Sequence, residues 1–161
     1  MKIWIAAVGL VLLLAFAGGL PFSNHETQKL LPLHTVQVEL TEDGVHIVSE
    51  AGEGYGATWS EAVRALHESA SGEVFFDTAE QLVLCSRAIN IVPEILEEKT
   101  LRPAAQVYRS RELQPVEGLN EYLSSQESDV SLGDLLAAQE EGMRLQPPLL
   151  VQTKSGPEVR Q

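Results

Sequence analysis

Hydrophobic positions follow two different rules along the chain. From residue 3 to residue 22 there is no charge, and Leu and Ala dominate. No polar stripe interrupts the run, so it does not have the form of an amphipathic helix lying on a soluble core. From residue 33 onward the apolar residues come in short alternating or helical patterns, as in a folded domain of modest size.

Residues 33–40 alternate, with Val36, Val38 and Leu40 on one face and Thr35, Gln37 and Glu39 on the other. That predicts a strand with one face buried. Thr41-Glu42-Asp43-Gly44 is a turn, and residues 45–49 alternate again, so an antiparallel hairpin is expected. Gly52-Glu53-Gly54-Tyr55-Gly56 has the composition of a flexible connection. Thr58, with Glu61 three residues later, makes a capping box for a helix whose inward face is Trp59, Ala62, Val63, Leu66 and Ala70. Val74-Phe75-Phe76 is short and apolar, and Leu82-Val83-Leu84 suits a strand buried on both faces.

Ile89, Val92, Ile95 and Leu96 return to helical spacing, with Pro93 either in the first turn behind an Asn90 cap or at a kink. Residues 104–108 form another strand candidate. Pro115 opens a helix with Val116, Leu119 and Leu123 inward, and Ser131 caps a last one that stops at Gly142. Pro147-Pro148 precedes the short apolar strand Leu149-Leu150-Val151. The order β-β-α-β-α-β-α-α-β predicts an α+β domain, a mixed sheet with helices packed on it, behind an N-terminal export or anchor helix. The division expected is a signal peptide or transmembrane anchor at 1–22, a tether at 23–32, the domain at 33–153 and a flexible tail at 154–161.

The N-terminal pattern admits two readings, and both export the rest of the chain. Lys2, the apolar run and the small residues Ala15 and Ala17 have the layout of a secretory signal cut to leave Gly18. The same run is just long enough to span a hydrocarbon core of roughly 30 Å as an uncleaved anchor. Lys2 inside and Glu26 as the first charge outside agree with that orientation. The expected location is the outer face of the cell membrane, with secretion as the alternative.

Charge narrows the partners. With 11 Lys+Arg against 23 Asp+Glu, the net charge is −12, which argues against nucleic acid. An acidic exported part is also repelled by anionic lipid heads, so a membrane tie has to come from residues 3–22. The single cysteine, Cys85, excludes an intramolecular disulfide and any cysteine-rich zinc site.

Chemistry-bearing residues are sparse. The Gly52/Gly54/Gly56 segment lacks the spacing and the lysine of a phosphate loop, and Glu53 would repel a phosphate. Cys85 follows a buried-looking strand without a neighbouring base, which makes it structural, with pairing between two chains the lesser alternative. His34 and His46 fall on opposite faces of the hairpin, and His67 has no ligand partner at helical spacing, so no metal is expected. Glu97-Glu98 and Glu140-Glu141 are neighbours that diverge on a helix. Arg109-Ser110-Arg111 is the one basic cluster. No catalytic set and no cofactor are legible. A small secreted hydrolase built from His34, Glu39 or Asp77, or a secreted module binding a ligand or cell-wall polymer, stand as alternatives to a non-enzymatic domain.

Five segments resemble the N-terminal domain of the Ger(x)C family of spore germination proteins, the membrane-associated C subunits of germinant receptors. Leu33-His34-Thr35-Val36-Gln37-Val38-Glu39 with the Asp43-Gly44 turn is similar to the family's opening hairpin. Gly56-Ala57-Thr58-Trp59-Ser60-Glu61-Ala62 resembles its G-x-T-x-x-E-A helix start, and Val74-Phe75-Phe76 before Gln81-Leu82-Val83-Leu84 its aromatic stretch and apolar strand. Ala88 with Ile95-Leu96, then Arg102-Pro103 and residues 104–108, match the next helix and strand. Ser131-Leu132-Gly133-Asp134-Leu135-Leu136 and Pro148-Leu149-Leu150 are similar to the closing helix and strand.

The resemblance implies a non-enzymatic, membrane-held domain whose partners are germinant-receptor-like membrane proteins, with no catalytic residues to assign. Three departures go with it. The family's lipid-bearing cysteine after the signal has no counterpart before Cys85, the family's further C-terminal domains are not matched, and Asp77-Thr78 stands where the family often has glycine-histidine.

Overall fold

Residues 30–160, which the computed structural model describes, sort the two apolar periods into sheet and helix. The strands are β1 (Leu30–Pro32), β2 (Thr35–Leu40), β3 (Val45–Ser49), β4 (Gly52–Gly56), β5 (Glu73–Phe75), β6 (Gln81–Ser86), β7 (Gln106–Ser110), β8 (Leu149–Thr153) and β9 (Gly156–Arg160). The helices are α1 (Trp59–Ser69), α2 (Val92–Glu97), α3 (Leu119–Ser124) and α4 (Leu132–Glu140). The fold is α+β with a mixed sheet and helices packed on it, as expected. Among the described residues no helix is long and apolar enough to cross a membrane. The expected export or anchor segment, residues 1–22, lies outside them.

One sheet has seven strands in the order β4-β3-β2-β6-β7-β8-β9. Its centre, β2-β6-β7-β8, is parallel, and an antiparallel hairpin flanks each side. Register aligns Val36, Leu82 and Val107 across three strands, and Gln37, Val83 and Tyr108 beside them. Because side chains alternate, the first row faces one side of the sheet and the second row the other.

The first side carries α1, α2 and α4. Val36, Val38, Ile47, Leu82, Leu84 and Val107 join Trp59, Leu66, Ile95 and Leu132 in one buried cluster. Thr58 caps α1 by accepting from the Glu61 N–H, although the Glu61 carboxylate reaches back to the Ala57 N–H at 2.9 Å and not to its own cap residue. Trp59 is fully buried, packs edge-on to Phe76 with centroids 6.1 Å apart, and gives its indole N–H to Thr100. Glu94 of α2 accepts from the Trp59 backbone N–H at 2.9 Å, so a second helix completes the cap of the first. Pro93 sits in the first turn of α2, but Asn90 does not cap it; the cap position is Ile91 and no side chain closes it.

Several expectations are corrected. The second face of β2 is not solvated: Thr35 and Gln37 are 3% and 1% exposed. The glycine-rich segment is no flexible connection but the edge strand β4, paired with β3 along its length. Gly54 faces α1 so closely that a Cβ there would lie 2.7 Å from the Leu66 backbone nitrogen and overlap the Ala62 carbonyl oxygen.

The assigned tether ends early, because residues 30–32 form β1, parallel to β5. The assigned tail is β9, which pairs with β8. The helix expected from Pro115 begins instead at Leu119, after Gly118 takes φ 74, which reverses the chain before the helix can start.

Candidate functional site

An exposed departure from regular structure follows α4. Ser131 and Asp134 form a complete capping box at its start, and Gly142 ends it at φ 69. The Met143 N–H then returns to the Ala138 carbonyl at 2.7 Å. The chain from there to the buried Pro147 carries Met143 and Leu145, 58% and 36% exposed.

Three clefts border this segment. One of about 450 Å³ lies between Asp129, Asp134, Ala137, Met143 and Leu145. A second, about 370 Å³, runs along Ile89, Leu135, Gln139 and Arg144. A third, about 280 Å³, is walled by Arg109, Glu127, Asp129 and Pro148. The first two share Ala138, Met143, Arg144 and Leu145, and the first and third share Asp129, so the three form one continuous surface. Its lining mixes apolar side chains with both signs of charge. Asp134 is committed to the helix cap: the Ser131 hydroxyl at 2.6 Å and then its backbone N–H hold the carboxyl below the usual carboxylate range. The surface can bind by shape and mixed charge. It offers no nucleophile with an adjacent base.

A second cluster sits on the other side of the sheet, at the β3–β4 edge. The His46 and Tyr55 rings stack with centroids 3.9 Å apart. Glu53 Oε2 accepts from the Tyr55 hydroxyl at 3.1 Å and lies 3.2 Å from His46 Nε2. All three polar groups are thereby paired with one another.

The other residues singled out from the sequence disperse. His34 is exposed between β1 and β2, and His67 is exposed on α1 with its ring near Phe76. Glu39 lies within β2 and His34 in the bend before it, five residues apart in the chain, with no hydrogen bond between them among those of the described residues. Asp77 is exposed in the turn before β6. Among the described residues no group of three His, Cys, Asp or Glu converges to hold a metal ion. Glu97, Glu98, Glu140 and Glu141 are exposed at helix ends. In the basic cluster, Arg109 reaches the third cleft while Ser110 turns inward to bond the Glu112 carbonyl.

Cys85 is fully buried, and burial, followed by the charges of Glu39 and Glu112, pushes its thiol up to about 12. Such a thiol stays protonated and unreactive, and it cannot reach a second chain while the sheet is closed.

Two features escaped the sequence. Met143 and Leu145 belong to no periodic pattern; an apolar pair stranded between Gly142 and Pro147 is the signal that marks them. Gln37 crosses to the chain after β7, giving its amide N–H to the Gln114 carbonyl and accepting the Gln114 N–H, both at 2.8 Å.

No family model, no curated protein and no solved structure matches this chain. The functional reading therefore rests on the sequence patterns and on the surface just described.

Proposed function

We propose that this chain is a non-enzymatic extracytoplasmic accessory domain, held at a membrane by residues 3–22 and acting through protein–protein contacts in spore germination, like the germinant-receptor C subunits it resembles. The observation that carries the reading is where the resembling segments fall. They are the joints of the domain and not interchangeable surface. The G-x-T-x-x-E-A segment holds Gly56 against α1 and caps that helix through Thr58. The Ser131-Leu132-Gly133-Asp134 segment supplies the full capping box of α4.

Where the family often has glycine-histidine, the Thr78 hydroxyl makes a joint of its own. It accepts from the Leu33 N–H at 2.8 Å and lies 2.7 Å from the Phe75 carbonyl, to which it donates. The departure is accommodated by a hydrogen-bonded substitute. The clefts beside Met143 and Leu145 give the domain a surface for contact with membrane subunits.

The test is fractionation of a sporulating host carrying the tagged chain. The protein is expected in the spore membrane, co-purifying with polytopic receptor subunits, and its deletion is expected to slow nutrient germination without loss of heat resistance. A cytoplasmic protein, or a host that never sporulates, would sink the reading in this form. A secreted module binding a ligand or wall polymer is the second reading, supported by the same clefts. Intact-mass measurement separates the two, since secretion predicts a mature chain starting at Gly18.

A further inference from the structure

We infer that the outer face of the β1–β5 ladder lies against the lipid surface and sets the orientation of the domain on it. The inference rests on the anchored reading of residues 3–22 and adds a surface to it.

Register places Leu30 opposite Glu73 and Pro32 opposite Phe75, so these four share one face, while Leu31 and the buried Val74 share the other. The outer face is apolar except for Glu73. Leu30 is 60% exposed and Phe75 36%, and Pro32 beside them is exposed too. Leu30, Phe75, Tyr55, Met143 and Leu145 are the large apolar side chains exposed among the described residues, and two of them lie on this face. Among the described residues this apolar face is left open to its surroundings.

Position identifies the occupant. The chain enters the ladder at Leu30, and only residues 23–29 separate it from the apolar run that ends at Phe22. Seven residues, even fully extended, span at most ~25 Å. An anchored domain therefore keeps this ladder within that distance of the bilayer. A face of Leu, Pro and Phe at that range gains free energy by entering the boundary between headgroups and acyl chains. The ladder is also fixed to the body of the domain, because Thr78 bonds Leu33 at its end and Leu33 N–H reaches the Phe75 carbonyl. Docking the ladder consequently orients the whole sheet. Glu73 on the face and Asp77 in the adjoining turn are the carboxylates that would remain at the water edge.

Full-length chain in neutral phosphatidylcholine vesicles, which do not repel an acidic domain, tests this. Leu30→Cys and Phe75→Cys, each carrying an environment-sensitive fluorophore, are compared with Tyr55→Cys on β4, at the edge strand of the large sheet. Cys85, fully buried, is not labelled. The expected result is blue-shifted emission at Leu30 and Phe75, quenched several-fold more than at Tyr55 by lipids spin-labelled high on the acyl chain. If the vesicles float with the protein but the three probes behave alike, the inference is overturned and the anchored reading stands. A blue shift without quenching by the lipid means that protein covers the face, which also overturns it. If the unlabelled chain does not float at all, the anchored reading fails and takes the inference with it.

Discussion

The two sides of the large sheet are held by different means. On the α1 side, contact is by shape: Gly54 lets the helix backbone approach the strand backbone, and Trp59 fills the space beside Phe76. That cluster is large and apolar, with Trp59 fastened at its edge by Thr100 and Glu94. On the α3 side the apolar cluster is small: Val83, Cys85, Tyr108, Leu119, Leu123 and Leu150. Beside it, the chain after β7 is clamped to β2 by the Gln37 amide, which satisfies both backbone groups of Gln114. A short helix with few apolar contacts needs such a clamp, because the loop it belongs to would otherwise bury unpaired peptide groups. Shape carries one side and polar satisfaction the other.

Four single substitutions separate the two means, and one double variant tests the exposed surface apart from both. Trp59→Ala removes the largest fully buried side chain of the α1 side and should lower unfolding stability by about 3–5 kcal/mol, read by denaturant titration of the detergent-solubilised chain. Gly54→Ala adds one methyl group against backbone that has no room to give, and an overpacking loss of about 3 kcal/mol is expected. If it were neutral, the close approach of α1 to β4 would not be what holds this side. Gln37→Leu leaves two buried peptide groups of Gln114 unpaired, with an expected loss of about 2 kcal/mol. Amide exchange should then quicken in residues 111–118 before it does in α1.

Cys85 gives a pH signature of the α3 side. Its thiol would lose its proton near 9.0 when unfolded but holds it to about 12 in the sheet. Between those values the unfolded state binds fewer protons, so stability falls as pH rises. Cys85→Ala should flatten that part of the decline, measured as the difference between the two pH profiles. Smallest in stability is the double variant Met143→Asp/Leu145→Asp, expected within about 0.5 kcal/mol of the parent because both side chains are exposed. It should nonetheless abolish co-purification with membrane subunits, which places its effect on contact and not on folding.

Legibility in the sequence followed the same division. The alternating strands β2 and β3, the continuously apolar β6 and β8, and the capped helices α1 and α4 stand out because burial is written directly in their residue types. β4 was opaque because its inward positions are glycines, which register in no hydrophobic pattern although they face a helix. The second face of β2 was opaque for the opposite reason: Thr35 and Gln37 are polar yet buried, because Gln81 and Gln114 await them across the sheet. β1, β5 and β9 are short or polar strands whose pairing is decided by a distant or later segment. The candidate surface was hidden as well, since clefts arise from where α4 ends relative to β8 and not from any residue spacing.

The strand order has a consequence for how the domain is made. After the β2–β4 meander, β6 joins β2, β7 joins β6, β8 joins β7 and β9 joins β8, each at the edge left open by the one before. No strand of the large sheet has to be inserted between two that are already paired. A nascent chain emerging from its N-terminus can therefore build the sheet in the order of synthesis, adding every later strand on the β2 side while β4 stays the outer edge on the other. Open edges are the hazard in slow β-rich folding, and each addition here covers the edge left by the strand before it.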